Sequence, residues 1–587
     1  MKHIISALAA LAAVAGAMPA QARSSREYFV ARANQDAVPK QLSQRDREYY
    51  GEVFAAIDAE NWSRVQELLA QRDDGLLQRV AEAEFYLARN SPRVELPQIE
   101  RWLERGRNLP QAAQLGRLAL TRGAVTLPDL PVEAQFQQRS PNPRRTRPRT
   151  IDDGTIPATV RSQILERITQ DDPDGARQLL DGIDAALSPQ ARAEWRQRVA
   201  WSYYIENQDQ AALAMAQTVS AGSGPWVAEG EWVAGLAAWR LGDCQTAQGA
   251  FERSAHGAAN PELRSAAFYW ASRAALRCRQ PGRGTEMLRA AARADETLYG
   301  MLAAEQLGEA LPPRVNTADF TDEDWKRLGD SENVRIAVAL AEIGRDRLSS
   351  EVLLHEAHIC DPRNYGPLSR LARDLGLPST QLYMAYNAPN GGEADPASLY
   401  PAPKWAPVNG WQIDPALAYA HALQESAFRT TAVSPAQAQG LMQITPITVR
   451  EHAGRLGLNA QQVDIFDPSY NLAFGQQNLE MLRDQAATRG QLPKIMAAYN
   501  AGLTPVTRWN SEVNDGGDPL LYMESIPYWE TRSYVAIVMR NYWMYQRQAD
   551  APSESRIALA QNAWPMFPGD GAERNGRVYL SASAKDD

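Results

Sequence analysis

The chain has 587 residues, 44% of them hydrophobic and 22% charged, with 15 tryptophans and a formal net charge of -9 at pH 7. That length calls for two or more domains with sizeable cores, and the composition excludes a disordered chain. The acidic balance excludes a protein whose bulk surface binds a polyanion, so no nucleic-acid partner is expected.

The N-terminus reads as an export signal over residues 1–22. Lys2 precedes a short apolar run from Ile4 to Ala17, and Ala20-Gln21-Ala22 is a small-x-small cleavage site. The run is too short and too alanine-rich to span a membrane. No cysteine follows the cleavage site to carry a lipid. The expected product starts near Arg23, has no transmembrane anchor, and resides in an oxidising compartment, the bacterial periplasm.

From Ser24 to about Tyr400 apolar residues recur at spacings of three and four, broken by short Gly, Pro and Asp interruptions. No stretch sustains period-two alternation, so the fold class is all-α. An N-terminal helical segment (23–136) precedes "QQRSPNPRRTRPRTIDDGTIPA" (137–158), which reads as a solvated linker or loop. Its arginines, Arg139, Arg144, Arg145, Arg147 and Arg149, form a local cationic patch. Residues 159–400 read as an α-superhelical domain. Within it "WSYYIENQDQAALAMA" and "AWRLGDCQTAQGAF" align Tyr203 with Trp239, Ala211 with Ala247 and Met215 with Phe251, with Gly242 at the turn. This resembles tetratricopeptide-type helix pairs, which stack because no pair buries its apolar face alone.

Cys244 and Cys278 flank one such helical hairpin, and in an oxidising compartment they are expected to form a disulfide, leaving Cys360 free. His355, His358 and Cys360 invite a metal reading, but no fourth ligand follows at a recognisable spacing. They read as helix histidines beside a thiol, and no metal site is expected.

Near "SLYPAPKWAPVNGWQIDPAL" prolines and glycines mark a boundary, and a module over 401–550 begins, followed by a polar tail (551–587) read as mobile. Asp414 and Pro415 open a helix as N-cap and first helical residue. On it Leu417, Ala420 and either His421 or Leu423 can face inward, and Glu425 falls at the C-terminal end. Partial negative charge at a helix C-terminus, together with burial, disfavours an ionised carboxylate. A glutamate so placed acquires the raised pKa of a general acid working near neutrality. "GLMQITP" (440–446), "FDPSYNLAFGQQNLEML" (466–482), "IMAAYNAG" (495–502) and "ESIPYWETRSYVAIV" (524–538) follow.

In this order and spacing these segments resemble the soluble lytic murein transglycosylases. The resemblance rests on Glu-Ser-x-Phe at 425–428, Ser434, Gly-Leu-Met-Gln at 440–443, Ala-Tyr-Asn-Ala-Gly at 498–502 and Ile-Pro-x-x-Glu-Thr-Arg-x-Tyr-Val at 526–535. It covers about residues 406–548, and "LYGMLAAEQLG" (298–308) is similar to part of the family's helical domain. One departure is Gln437, where many relatives carry glycine.

The resemblance implies a lysozyme-like α domain docked on an α-superhelical ring or U. It also implies an enzyme, acting without cofactor, that cleaves the bond from N-acetylmuramic acid to N-acetylglucosamine in peptidoglycan. Glu425 would be the single acid/base and would leave 1,6-anhydro ends. Ser434, Met442, Gln443, Asn500 and Glu530 would bind or support substrate, Tyr499 would orient Glu425, and Ser426 would be structural. The helical domain would offer a surface for cell-wall enzyme complexes. Two alternatives stand beside this: a hydrolytic muramidase using a second carboxylate, and a cell-wall-binding scaffold with a degenerate catalytic domain. Because the motifs all follow Trp405, the module alone is expected to fold.

Overall fold

The computed structural model describes residues 24–34, 37–139, 142–311 and 319–569. The export signal and the last part of the tail lie outside the described residues. The architecture is all-α, running from the helix Ser25–Ala33 to the helix Glu554–Ala560, with one two-stranded antiparallel pair, Phe136–Gln138 against Asn387–Pro389, among the described residues.

The helix pairs stack as their sequence period requires. Trp226–Arg240, Cys244–Gly257, Pro261–Arg277 and Pro281–Ala292 pack each on the next. Their turns recur at Asp171, Asn207, Gly242 and Arg279, all with positive φ and roughly 36 residues apart, the spacing of helical-hairpin repeats. At each turn the following N–H reaches back to the same place in the helix before it: Gln208 N–H to Tyr203 O at 2.9 Å, Asp243 N–H to Ala238 O at 3.0 Å and Gln280 N–H to Ala275 O at 2.8 Å. Close stacking needs a small residue opposite a large one. A Cβ on Gly235 would lie 2.5 Å from the Phe251 ring. Cys244 and Cys278, at facing ends of one hairpin, are bonded, with Cα atoms 5.6 Å apart.

Two large cores divide the described residues along lines the sequence does not show. The helices between Gln44 and Thr121 share a core with those between Asp322 and Tyr386, where Val53 and Trp102 join Leu340 and Tyr365. Arg345 pairs with Asp58 across that junction at 2.6 Å. The second core joins residues 156–303 to residues 400–567, so the stacked hairpins and the C-terminal module are packed as one body. Phe29 of the first helix belongs to it too, edge-on to Tyr419 and Tyr545 at 5.5 and 5.9 Å. The helix Trp529–Gln548 lies in the middle, between Pro415–Ser426 and Leu298–Leu307.

Two expectations change. Residues 142–157 are irregular, but the segment is not solvated at Arg145, whose side chain is 13% exposed and bonded to Glu229 and Glu524. Buried carboxylates from two distant elements draw it in. The tail is not mobile from its start: Glu554–Ala560 is a helix with Leu559 fully buried, and Trp543 Nε1 donates to Ser555 Oγ at 2.8 Å. His358 stacks on Phe136 at 3.7 Å and bonds Ala134 O through Nδ1, while burial pushes the Cys360 thiol up to about 12. No helix of the described residues is long and apolar enough to cross a membrane.

Candidate active site

Glu425 ends a helix that is buried on every side. From Pro415 to Ala422 every residue is inside. Asp414 anchors the start: one oxygen accepts the Ala416 N–H, and the other takes the hydroxyls of Ser25 and Tyr542 at 2.5 and 3.1 Å. The end is abrupt. Ala427 and Phe428 are both in the left-handed region, at φ 52 and 60, which costs non-glycine residues about 1–2 kcal/mol each. Burial of the Phe428 ring, 1% exposed, offsets that cost and fixes where the helix stops.

The Glu425 carboxyl is half-buried and accepts the Tyr534 hydroxyl at 2.6 Å on Oε1. His421, one helical turn back and fully buried, meets the same hydroxyl through Nδ1 at 2.8 Å. Since Tyr534 gives its proton to Glu425, Nδ1 of His421 is the donor to the phenolic oxygen. Nε2 is then the bare nitrogen, and among the described residues it has no partner. Burial holds this imidazole neutral, with its pKa pushed down to about 3. Burial also raises Glu425 to about 7; the Tyr534 hydrogen bond works against that rise and the charge of Glu530 adds to it.

The wall beside Glu425 is the turn at Gly-Leu-Met-Gln, held by Asn471 from the helix Pro468–Arg483. Fully buried, Asn471 accepts the Met442 N–H at 2.8 Å and donates to Gln439 O and Ile465 O at 3.0 and 2.8 Å. Gly440, at φ 74, is required twice over, because a Cβ there would lie 2.1 Å from Asn471 Nδ2. Gln443, at φ 51, folds its amide back to Gly440 O at 2.9 Å. Ser434 closes the preceding hairpin by accepting the Ala438 N–H at 3.0 Å. Gln437, at φ 62, occupies left-handed backbone, which is why glycine suits that position.

Two roles expected from the sequence are corrected. Tyr499 does not hold Glu425; its hydroxyl donates to Met442 O at 2.7 Å and its ring lies 4.7 Å from that of His421, so it fastens the turn to the helix Leu492–Ala501. Tyr534 holds Glu425 instead. Met442 does not line a groove: it is fully buried, its sulfur against Gly475. Ser426 is buried and bonds Ala422 O, a structural position. Asn500 accepts the Thr531 hydroxyl at 2.7 Å, and Glu530 is exposed in the first turn of Trp529–Gln548. Tyr534, His421 and Asn471 carry the site and had no role assigned. The signals were present: an aromatic at a fixed place in the last motif, and polar residues in otherwise apolar helical faces. Among the described residues no three His, Cys, Asp or Glu side chains are grouped to hold a metal.

Residues 406–520 match the family model of the transglycosylase SLT domain. Over 260 residues the chain is 30% identical to a putative soluble lytic murein transglycosylase of Haemophilus influenzae, covering 42% of each chain. It therefore spans about two-fifths of the length of that relative. Over 134 residues it is 33% identical to the soluble lytic murein transglycosylase of Escherichia coli K12, 22% of this chain and 20% of the other. In fold it is similar to the crystal structure of the 70 kDa soluble lytic transglycosylase of E. coli, with a TM-score of 0.52 at 16% identity, over 89% of this chain and 99% of that one.

Proposed function

We propose that this chain, a member of the family defined by the transglycosylase SLT domain, is a peptidoglycan lytic transglycosylase of the periplasm. The observation that carries the reading is the Glu425 carboxyl, half-buried, raised to about 7 and aimed by Tyr534. Near neutral pH such a group is available both as acid and as base.

In the first step Glu425 gives its proton to the oxygen joining N-acetylmuramic acid to N-acetylglucosamine, and the bond from that oxygen to the anomeric carbon breaks. The substrate's own N-acetyl oxygen stabilises the anomeric centre. In the second step Glu425, now a carboxylate, takes the proton of the 6-hydroxyl as that oxygen bonds the anomeric carbon. The product is a 1,6-anhydro sugar, no water is consumed, and Glu425 is protonated again. Intramolecular attack needs no second protein carboxylate and gains from high effective concentration. Glu530, the other carboxylate whose charge reaches Glu425, is exposed, which suits a substrate contact better than a base.

Mass spectrometry of products from purified sacculi tests the reading. Wild type should release anhydro-muropeptides, and Glu425→Gln none. Products heavier by one water would make the enzyme a hydrolase. Undiminished release by the Gln variant would remove Glu425 from the chemistry.

A further inference from the structure

Around the arginine-rich segment four arginines, Arg145, Arg147, Arg198 and Arg532, face three carboxylates, an excess of one positive charge. Arg145 is held by Glu229 and Glu524 at 3.0 and 3.3 Å, and Arg198 by Glu194 at 2.8 Å. Arg147 and Arg532 make no ion pair among the described residues, although the charge of Glu229 reaches both and that of Glu524 reaches Arg532. Arg532 is 8% exposed, and the one hydrogen bond of its side chain among the described residues goes to Ile526 O at 3.1 Å. Its guanidinium lies 3.9 Å from the ring centre of Trp201 and 4.9 Å from that of Trp529. Arg147 lies 4.4 Å from the same Trp529 ring and makes no hydrogen bond or ion pair among the described residues. Both line a cavity of about 180 Å³ that opens to solvent, with Trp201, Trp226 and Ile168 as apolar lining and the Glu229 carboxylate, already paired with Arg145, in its wall.

A buried cation without a partner is expensive, and protein interiors retain one where a ligand completes it. Burial, then repulsion from Arg145, pushes Arg532 down to about 9, and burial, then repulsion from Arg198, pushes Arg147 down to about 10, with Glu229 opposing both shifts. The surroundings describe what is missing. Two guanidinium groups about one indole ring present forks that match a carboxylate. The apolar lining suits an alkyl group beside it, which inorganic phosphate lacks. At about 30 Å³ per water the cavity holds roughly six waters, enough for one amino-acid-sized group and too little for a nucleotide.

We infer that this cavity is an accessory site for the carboxylate-bearing end of a short peptide, separate from the Glu425 site. Arg532 and Tyr534 are two positions apart on the helix Trp529–Gln548 and point to different sides of it, so the cavity and Glu425 flank the start of one helix. A helix is about 10 Å across, and three or four extended residues at ~3.5 Å each span it. The peptide therefore has two sources: a stem on the glycan strand being cleaved, which rests on the function proposed above, or a free soluble peptide.

The test is calorimetric titration of the full chain with the acidic tripeptide Ala-Glu-Ala, its fully amidated counterpart and inorganic phosphate. The free acid should bind, and the amidated peptide and phosphate should bind about tenfold or more weakly, the scale of one charge-assisted contact. Arg147→Glu, at the exposed rim, should weaken the free acid by about tenfold without changing Tm, and Arg532→Lys should weaken it with its charge retained. Equal binding of acid and amide, or wild-type affinity in both variants, overturns the site. Turnover of strands with and without peptide stems then separates the sources. Loss of a preference for stem-bearing strands in Arg147→Glu assigns the site to the strand, and an unchanged ratio with lost tripeptide binding assigns it to a free peptide. Failure of wild type to cleave any strand would sink the proposed function while the titration still decides the cavity.

Discussion

Tyr534 donates to Glu425 at 2.6 Å while its own oxygen is met by Nδ1 of the buried, neutral His421 at 2.8 Å. The acid is therefore positioned by a neutral relay and not by an opposite charge, which would lower its pKa and leave it ionised. Tyr534→Phe removes the contact that lowers the Glu425 pKa, so the pKa should rise above about 7. The alkaline limb of the pH–rate profile should move up, and kcat should fall about 10- to 100-fold from lost orientation, with stability down by about 1–2 kcal/mol. A profile with an unmoved alkaline limb would show that Tyr534 does not set the acid.

Glu425→Gln should stabilise the fold as it abolishes turnover. The folded carboxyl titrates near 7, above its ordinary value of 4.5, so the native state binds the extra proton. Its stability relative to a neutral side chain is intact below about 4.5 and is lost as pH rises through about 7. The gap in stability between variant and wild type should be small at pH 4 and largest above pH 7, amounting there to about 1–3 kcal/mol in the variant's favour for a group that is only half-buried. Thermal melts at several pH values decide it, and a pH-independent gap would contradict the raised pKa.

The turn that walls the site should be intolerant at one position and improvable at another. Gly440→Ala forces a Cβ to 2.1 Å from Asn471 Nδ2 in a left-handed backbone, and should cost about 2–4 kcal/mol and most activity. Gln437→Gly relieves an exposed left-handed residue and should gain about 0.5–1 kcal/mol with activity kept. Denaturant melts of both variants check the pair.

Much of this was legible locally. Helical period, cap residues and turn glycines act within a few positions, so the all-α class, the start of the Glu425 helix at Asp414 and the repeat turn at Gly242 follow from the sequence. The roles of Tyr499 and Tyr534 did not, because Tyr534 lies 109 residues from Glu425 and only packing decides which hydroxyl reaches it. Arg145 was misread for the same reason. A run of Arg and Pro signals solvent, and the carboxylates that bury it lie 84 and 379 positions away.

The Cys244–Cys278 bond closes a hairpin in the middle of the stack. In the chain-entropy model a loop with a sequence separation of 34 contributes about 3–4 kcal/mol. Cys244→Ser should lower the stability of the protein by about that amount, and non-reducing peptide mapping of wild type should recover the two cysteines together with Cys360 alkylated. Alkylation of all three would refute the bond.

The module 401–551 should not fold well by itself, contrary to what its clustered motifs suggest. Its central helix is completed from outside. Arg540, 3% exposed, faces Glu262 at 3.8 Å, and Arg532 rests on Trp201. Glu524 accepts the Tyr299 hydroxyl at 2.8 Å, and Phe29 fills the space between Tyr419 and Tyr545. Truncation would take Arg145 and Tyr299 from Glu524, Glu262 from Arg540 and the Trp201 ring from Arg532, losses that together cost several kcal/mol against a domain stability of about 5–15 kcal/mol. It would also remove Ser555 and Leu559, which cover Trp543 and the end of the core. The isolated fragment should show a broad, non-cooperative melt and weak near-UV circular dichroism, and should cleave soluble glycan strands far more slowly than the full chain. A sharp melt with undiminished cleavage would mean that the helix Trp529–Gln548 keeps Tyr534 on Glu425 without the helical arm, and the arm's role would then lie in handling the polymer and not in supporting the site.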